Sequence, residues 1–167
     1  IPSVVIHGDL CFNNILYDIS SGVVKLVDPR GSFGKKGVYG DRRYDVAKLY
    51  HSVHGGYEFI VNDLYQLEET ETGYVLDLMR SESGKAVLPL FESIFFAKFS
   101  KLEVLLIEGL MFVSMCARHY EDKQRQKAFY LTGVRLLNEA MGLAGVRMRK
   151  RRTEKAEHLR MAKVLTA

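Results

Sequence analysis

Short apolar runs separated by turn residues dominate the beginning of the chain. The run SVVIH at 3–7 predicts a buried strand because it is short, apolar and β-branched. Two further runs, NILYD at 14–18 and VVKLVD at 23–28, predict two more strands. Gly22 lies between them and supplies a turn residue, so we expect a hairpin there.

A loop and then a helix are predicted next. Residues 29–40 contain four glycines and one proline, a composition typical of a loop. Asp41 is suited to cap the start of a helix, and Gly55 and Gly56 are suited to end it. Apolar side chains recur between them at helical intervals, at Val46, Leu49, Tyr50 and Val53.

The remainder of the chain predicts one more hairpin and then helices. Residues 63–78 alternate apolar and polar positions around ETETG, which is typical of a hairpin. From Leu88 onward the pattern is helical. The segment 100–119 is apolar on nearly all sides and should form a central, buried helix, with the amphipathic segment 121–142 packed beside it. This order predicts an α+β fold that is mainly α.

Composition places the chain among globular proteins. Its 167 residues are enough for one domain with a hydrophobic core, and 47% hydrophobic with 26% charged residues excludes a disordered chain. The most apolar stretch, from Leu102, is too short to cross a membrane and contains Glu103 and Glu108. The two cysteines, Cys11 and Cys116, are far apart in sequence, so we expect a reduced, cytoplasmic protein without a disulfide framework.

The net charge of +4 comes from one end of the chain. Residues 147–163 hold eight Lys or Arg and two Glu, a net charge of +6, which leaves −2 for the remainder. A basic segment of this kind can contact nucleic acid or an acidic membrane surface. We favour a solvated terminal helix over either contact, because its few apolar residues keep a weak helical spacing.

Three polar residues near the front of the chain form the pattern that carries chemistry: Asp9, Asn14 and Asp28. Each alone would more often be a turn residue. A hairpin that begins at Asn14 and ends at Asp28 brings these two residues to the same end. Mg²⁺ prefers a few carboxylate or amide oxygens, with phosphate and water at its other positions. The spacing from Asp9 to Asn14 also matches phosphoryl-transfer loops in which Asp accepts the hydroxyl proton and Asn holds a metal.

The stretch VVIHGDLCFNNILYD, with the later VKLVDPRG, resembles the aminoglycoside phosphotransferase and choline kinase-like family, small-molecule relatives of the protein kinases. That family carries H-G-D-x-x-x-x-N in its catalytic loop and a strand-ending Asp further along. The segment YDVAKLYHSVHG resembles the family's helix after the metal site. The resemblance covers most of residues 3–142 and implies the C-terminal lobe of a kinase-like fold, in which short β-hairpins carry the active-site loop beside a helical subdomain.

The resemblance implies a role for each matching position. Asp9 would be the catalytic base that orients or deprotonates the substrate hydroxyl. Asn14 and Asp28 would ligate Mg²⁺ bound to the phosphates of ATP. His7 would hold the loop by packing and hydrogen bonding, and Asp45 would accept hydrogen bonds from the main chain of the catalytic loop.

Other residues are open to more than one interpretation. Arg30 departs from the family pattern, in which an aromatic or small residue follows the metal-binding Asp, and it would bring a cation near the phosphates or an anionic substrate. Asp45 would otherwise be an exposed helix residue. His51 and His54 have a spacing that metal ligands also use, but no acidic or Cys partner is set beside them in sequence, so we interpret them as ordinary helix or core residues.

The predicted organisation is a kinase-like catalytic lobe at 1–145 and a basic helical tail at 146–167. Kinase-like enzymes also need an N-terminal lobe with a Gly-rich hairpin over the phosphates and a strand Lys. The segment GSFGKKG at 31–37 is Gly-rich, but it follows the metal-binding Asp. We therefore expect a catalytic lobe without most of the nucleotide clamp, inactive or weakly active alone. Its exposed interface would be covered by the N-terminal lobe or by a second copy in a homodimer.

Two functions remain open. The leading one is an ATP- and Mg²⁺-dependent phosphotransferase, a small-molecule kinase, that acts on the hydroxyl group of a small substrate. Its specificity would come from the helical half and from the loops at 29–40 and 55–63, and a sugar, an amino alcohol or a nucleoside-like compound fits equally well. The alternative is a non-catalytic, kinase-like binding or scaffold module of a larger protein, with the basic tail contacting a partner or nucleic acid.

Overall fold

The computed structural model describes residues 3–33, 35–80 and 82–145, which form an α+β fold with most of its regular structure in helices. This confirms the predicted α+β, mainly α, class. The basic tail predicted at 146–167 lies outside the described residues.

The described strands are short and pair antiparallel in twos: β1 (Val4–Val5) with β6 (Tyr39–Gly40), β2 (Ile15–Asp18) with β3 (Val23–Leu26), β4 (Ser32–Phe33) with β5 (Lys35–Lys36), and β7 (Tyr65–Thr70) with β8 (Gly73–Leu78). The α-helices are α1 (Arg42–Tyr50), α2 (Tyr57–Val61), α3 (Glu82–Phe95), α4 (Lys101–Arg118) and α5 (Lys123–Leu143). A 3₁₀ turn at Phe12–Asn14 precedes β2, and a π-helical turn at His51–Gly55 follows α1.

The first strand differs from its prediction as a buried strand. β1 has two residues, pairs Val4 with Gly40 and Val5 with Tyr39, and leaves Val5 67% exposed. Ile6, directly after the strand, is buried instead. The β-branched run was misleading because a two-residue strand paired along one edge leaves its side chains largely uncovered.

The predicted hairpin is present as β2 and β3, in the register that pairs Ile15 with Leu26 and Asp18 with Val23. Gly22, in the turn, has a φ of 69°, a conformation that glycine adopts without strain. Three apolar side chains on one face of this hairpin, which we call the apolar hairpin surface, are more than half exposed: Tyr17, Val24 and Leu26. Leu16 is also more than half exposed, but it lies on the other face, opposite Lys25.

The helix predicted after the glycine-rich segment is confirmed at both ends. Asp41 accepts a hydrogen bond from the Arg43 N–H at 2.9 Å and caps α1. The π-helical turn ends at Gly56, which has a φ of 75°. Residues 29–40, predicted as a loop, contain the small β4–β5 hairpin and β6.

The hairpin predicted at 63–78 is also confirmed, with Tyr65 opposite Leu78 and Thr70 opposite Gly73. The helical part begins at Glu82, earlier than the predicted start. Its first turn is polar and includes a glycine, so it lacks the apolar periodicity on which the prediction relied.

The main hydrophobic core lies between α1, α4 and α5. The largest fully buried side chains are Tyr50, Phe112, Phe129, Ile60, Leu105, Leu136, His51, Glu108 and Val104. α4 was predicted to be buried on nearly all sides, but it has an exposed side on which Leu110 is 61% exposed. Among the described residues, no helix has the length and apolar character needed to cross a membrane.

Two glycines allow α4 and α5 to pack closely. A Cβ atom at Gly109 would lie 2.8 Å from Cγ of Leu137, and one at Gly133 would lie 2.8 Å from Cγ2 of Val113. Both distances are shorter than van der Waals contact, so these helices can pack this closely only because Gly109 and Gly133 have no side chain.

Candidate active site

Asp45, on α1, fixes the main chain of the loop that contains Asp9. Its Oδ2 accepts a hydrogen bond from the His7 N–H at 2.7 Å, and its Oδ1 accepts one from the Gly8 N–H at 2.8 Å. Hydrogen bonds to an ionised acceptor are stronger than those between neutral groups. Asp45 is half-buried and makes the main-chain contacts that the resemblance assigned to it, so it is not the exposed helix residue of the other interpretation.

The ring of His7 links the same loop to the end of β3. Its Nε2 lies 3.0 Å from the carbonyl oxygen of Val27, and its Nδ1 lies 3.3 Å from the backbone nitrogen of Asp9. With the proton on Nε2, the ring donates to Val27 and accepts from the Asp9 N–H, so one tautomer satisfies both contacts. The His7 carbonyl oxygen also accepts from the Arg30 N–H at 2.7 Å. Together with the bond from its N–H to Asp45, His7 therefore joins three chain segments: its own loop, residues 27–30 and α1.

Gly8 is required by the backbone of this loop. Its φ is 78°, a value that favours glycine, and a Cβ atom there would lie 3.0 Å from Cβ of Arg30. Both the backbone conformation and the lack of space therefore favour glycine at this position of the H-G-D motif.

The carboxylate of Asp9 lies between two cations. Its Oδ1 is 3.1 Å from Nζ of Lys48, and its Oδ2 is 3.5 Å from a guanidinium nitrogen of Arg30. The Asp9 side chain is 25% exposed, so a small molecule can reach it from solvent. The arrangement orients a carboxylate at the surface from two directions.

Lys48 is the site residue that the sequence reasoning missed. It is 3% exposed, and its Nζ lies 5.0 Å from the centre of the Tyr57 ring, within range of a cation–π interaction. Lysine is rarely buried without a partner, and Asp9 supplies that partner. Lys48 follows Asp45 by three residues, which places both on one face of α1. This spacing is the signal that could have identified it.

Asn14 is tied to Asp9 through the main chain. Its side-chain nitrogen donates to the Asp9 carbonyl oxygen at 2.8 Å, across the 3₁₀ turn. This bond orients the amide and leaves its Oδ1 as an acceptor. An amide oxygen is among the hard ligands that Mg²⁺ prefers.

Asp28 lies at the same end of the β2–β3 hairpin as Asn14, because the Val27 N–H donates to the Asn14 carbonyl oxygen at 3.0 Å. Asp28 is exposed, has a φ of 55° and precedes Pro29. A left-handed backbone is uncommon for residues other than glycine, and a residue before proline is normally extended. Strained backbone of this kind is concentrated at functional sites.

The donors at this end of the hairpin fit Mg²⁺. Asn14 and Asp28 offer an amide and a carboxylate oxygen, which are hard ligands. Within residues 3–33, 35–80 and 82–145, no group of three or more His, Cys, Asp or Glu side chains is placed to hold a metal ion. Mg²⁺ in phosphotransfer sites takes one or two protein side chains and completes its shell with phosphate and water, so two protein oxygens suffice.

The π-helical turn also holds the loop, through a hydrogen bond to its main chain. Ser52 Oγ accepts from the Phe12 N–H at 3.2 Å and donates to Oε1 of Glu58 at 2.7 Å. Cys11, beside Phe12, is buried, and this burial raises the pKa of its thiol. A buried thiol with a raised pKa is a packing residue and not a nucleophile.

The two histidines of the π-helical turn are held within the fold. His51 is fully buried with its ring centre 4.0 Å from that of Phe112, and burial lowers its pKa well below the usual value. His54 Nδ1 lies 3.1 Å from Oε2 of Glu108, whose pKa burial raises. These contacts agree with the interpretation of both histidines as structural residues.

Comparison with protein-family models, with curated proteins and with solved structures finds no match to this chain. The resemblance to aminoglycoside phosphotransferases and choline kinases therefore rests on the sequence motifs alone.

Proposed function

We propose that this chain is the catalytic lobe of an ATP- and Mg²⁺-dependent phosphotransferase that acts on a hydroxyl group of a small molecule. One observation carries the proposal. Asp9 and Asn14 are joined by a hydrogen bond of 2.8 Å within a loop that Asp45 fixes from α1. Asp28, in a strained conformation, lies at the same end of the following hairpin.

In the proposed reaction, Asp9 orients the acceptor hydroxyl and takes its proton as the hydroxyl oxygen bonds to the γ-phosphorus of ATP; the bond from that phosphorus to the bridging oxygen breaks, and ADP leaves with the bonding electrons. Asn14 and Asp28 would hold Mg²⁺. When bound, the ion neutralises charge on the phosphate oxygens of ATP. Phosphoryl transfer depends mainly on positioning and electrostatics, and the network around His7 and Asp45 serves positioning by fixing the loop.

The two cations at Asp9 also have a place in this proposal. Lys48 is buried, so its contact holds the Asp9 carboxylate from inside the protein. Arg30 has a side chain that is 28% exposed, and its longer contact of 3.5 Å leaves it able to turn towards an anionic substrate or phosphate. We assign Lys48 to positioning and Arg30 to binding.

The apolar hairpin surface supports a second part of the proposal, namely that another lobe covers β2 and β3. Tyr17, Val24 and Leu26 are each more than half exposed and lie on one face of the hairpin. Contiguous apolar surface of this kind usually marks an interaction site. In a kinase-like protein this surface would face the nucleotide-binding lobe, and a second copy of this chain in a homodimer is the alternative cover. We place the reaction in the cytoplasm, in keeping with the free cysteines Cys11 and Cys116.

A non-catalytic binding module is the second candidate, and one observation favours it. Both carboxylate oxygens of Asp9 contact cations of the protein itself, at 3.1 and 3.5 Å. In such a module the Asp9 cluster would be an ion-pair network that stabilises the loop.

The deciding experiment is turnover of Mg·ATP by the protein produced from its complete gene, measured over a panel of sugars, amino alcohols and nucleosides. Asp9→Asn should lower turnover by about 100-fold or more. Asp18→Asn is the matched control, because Asp18 lies at the other end of the same hairpin and binds Ser20 and Ser21 of the turn. Equal rates for wild type and Asp9→Asn would exclude the catalytic role, and no turnover of any acceptor would favour the binding module.

A further inference from the structure

A cavity of about 770 Å³ lies between β8, the end of the π-helical turn and α5. Its lining residues are His54, Tyr74, Leu76, Asp77, Leu78, Met79, Arg80, Leu131, Thr132 and Arg135. None of the residues assigned to the proposed phosphotransfer lines it. Its volume is within the range of pockets that bind small molecules.

Two arginines face this cavity from different elements. Arg80, after β8, is half-buried, and its guanidinium donates to the main-chain oxygens of Val53, at 3.1 Å, and His54. Carbonyl groups carry no net charge, so these bonds fix the guanidinium without neutralising it. Arg135, on α5, has a side chain that is 54% exposed. Its ion pair with Glu139 spans 3.9 Å, longer than a hydrogen bond, so its N–H groups remain available to a ligand.

The arginines are close enough to affect each other. Burial lowers the pKa of Arg80, and the charge of Arg135 lowers it further. Two guanidinium groups that face one cavity repel, and an anion between them would remove that cost.

The acidic groups near the cavity offset this charge only in part. Asp77 lines it, so the lining carries two cations and one anion. Glu108 is fully buried and bonded to His54, and Glu139 contacts Arg135 and lies 3.8 Å from Nε2 of His54. Glu139 therefore offsets part of the Arg135 charge, but it is shared with His54 and with Lys101, whose Nζ lies 4.0 Å away.

The remaining lining suits the organic part of a ligand. Tyr74, Leu76 and Leu131 offer an aromatic ring and aliphatic surface. A third cation, Lys127, lies on α5 with its Nζ 5.1 Å from the centre of the Tyr74 ring. Lys127, Leu131 and Arg135 are spaced by four residues, so they follow one face of the helix.

We infer that this cavity binds a small organic phosphate, with the phosphate group between Arg80 and Arg135 and the organic group against Tyr74. Arginine pairs recognise phosphate through several charge-assisted hydrogen bonds. The inference is independent of the proposed phosphotransfer, because it concerns a different face of the molecule and needs neither ATP nor Asp9.

The test is calorimetric titration of the full chain with phenyl phosphate, which combines a dianion with a ring, and with inorganic phosphate. Phenyl phosphate should bind in the millimolar range or tighter, and more tightly than inorganic phosphate. Arg135→Gln should weaken binding by about tenfold or more, as expected for loss of charge-assisted hydrogen bonds. Tyr74→Leu should weaken phenyl phosphate more than inorganic phosphate.

Arg42→Gln is the matched control, since it removes the same charge from an exposed position over the Phe99 ring, outside the cavity lining. Thermal unfolding checks that each variant folds. Arg135 is substituted instead of Arg80 because Arg80 donates hydrogen bonds to main-chain oxygens and its loss could disturb the fold. Equal weakening by Arg135→Gln and Arg42→Gln, or no binding at millimolar concentration, would overturn the inference.

Amide chemical shifts locate the ligand directly. Phenyl phosphate should shift the resonances of Tyr74 and Thr132 and leave those of Gly8 and Asp9 unchanged. Shifts confined to the Asp9 loop would place the phosphate at the proposed catalytic site and would also overturn the inference.

Discussion

The ammonium group of Lys48 lies 3.1 Å from a carboxylate oxygen of Asp9, although Lys48 is almost completely buried. The pair joins α1 to the loop that carries the proposed catalytic residue. The position of the Asp9 carboxylate therefore depends on a side chain that approaches it from the protein interior.

Lys48→Met should separate the positioning role of this lysine from its contribution to stability. Removal of one partner of a buried ion pair is destabilising because the other charge loses its compensation. Asp9 is 25% exposed and keeps Arg30 at 3.5 Å, so the free energy of unfolding should fall by about 1–3 kcal/mol, less than for a fully buried pair. Turnover should also fall by about tenfold or more, because Asp9 loses its nearer contact. Urea denaturation and kinetics of the same preparation measure the two effects.

Lys48→Arg is the companion variant, since it keeps the charge. It should retain more activity than Lys48→Met, with the loss in kcat and not in the KM for the acceptor. Unchanged kcat in Lys48→Met would show that Lys48 only packs the interior.

Asp45→Asn should destabilise the protein by about 2 kcal/mol, because the His7 and Gly8 N–H groups donate to different oxygens of Asp45 and an amide would present its NH₂ group to one of them. One buried donor is then left without a partner. Chemical denaturation measures the change, and Asp77→Asn, an exposed carboxylate on β8, should leave stability within about 0.5 kcal/mol of the wild type. Similar small effects of both substitutions would mean that Asp45 does not hold the loop.

His51 should make the protein less stable in mild acid. Burial, and secondarily the charge of Lys48, lower its pKa well below the ordinary value of 6.5. Above pH 6.5 the ring is neutral in both states. Below it the unfolded chain binds a proton that the folded chain does not, so the free energy of unfolding falls by up to about 1.4 kcal/mol per pH unit.

His51→Leu should remove that contribution. Burial raises the pKa of Glu108, so the folded protein keeps a proton there that the unfolded chain has lost, and this raises stability as the pH falls. The effect is opposite in sign to that of His51, and Glu108 is present in both the wild type and the variant. The measurement is therefore the difference between wild-type and variant stability at pH 7.5, 6.5 and 5.5. A difference that stays constant across these values would contradict the role given to His51.

Two glycine substitutions should have opposite effects. Gly109→Ala places a methyl group 2.8 Å from Leu137 and should destabilise the α4–α5 contact by about 1–2 kcal/mol after the gain in helix propensity. Gly142→Ala meets nothing within 4 Å and should stabilise the same helix pair by up to about 1 kcal/mol. Thermal unfolding measures both, and a stabilised Gly109→Ala would show that the helices can separate without cost.

The features that the sequence predicted correctly depend on neighbouring residues. The β2–β3 turn at Gly22, the Asp41 cap and the Gly56 stop each follow from the conformational preferences of one or two residues. For the same reason, the sequence alone predicts that Asn14 and Asp28 lie at one end of a hairpin.

The features that the sequence did not reveal depend on distant residues. Lys48 approaches Asp9 only because α1 packs under the loop, and the exposure of Val5 depends on what covers β1. The positive φ of Asp28 contradicts the usual preference before proline. No local pattern encodes it, since the surrounding contacts must compensate for the strain.

The hydrogen bonds from Asp45 have a practical consequence for protein engineering. The loop from His7 to Asn14 takes its shape from acceptors on α1 and on the π-helical turn as well as from its own residues. A graft of the loop alone onto another scaffold would lose that shape. The smallest portable unit is the segment from His7 to Arg30 together with the segment from Asp41 to Glu58, and changes to its chemistry can begin from the helix.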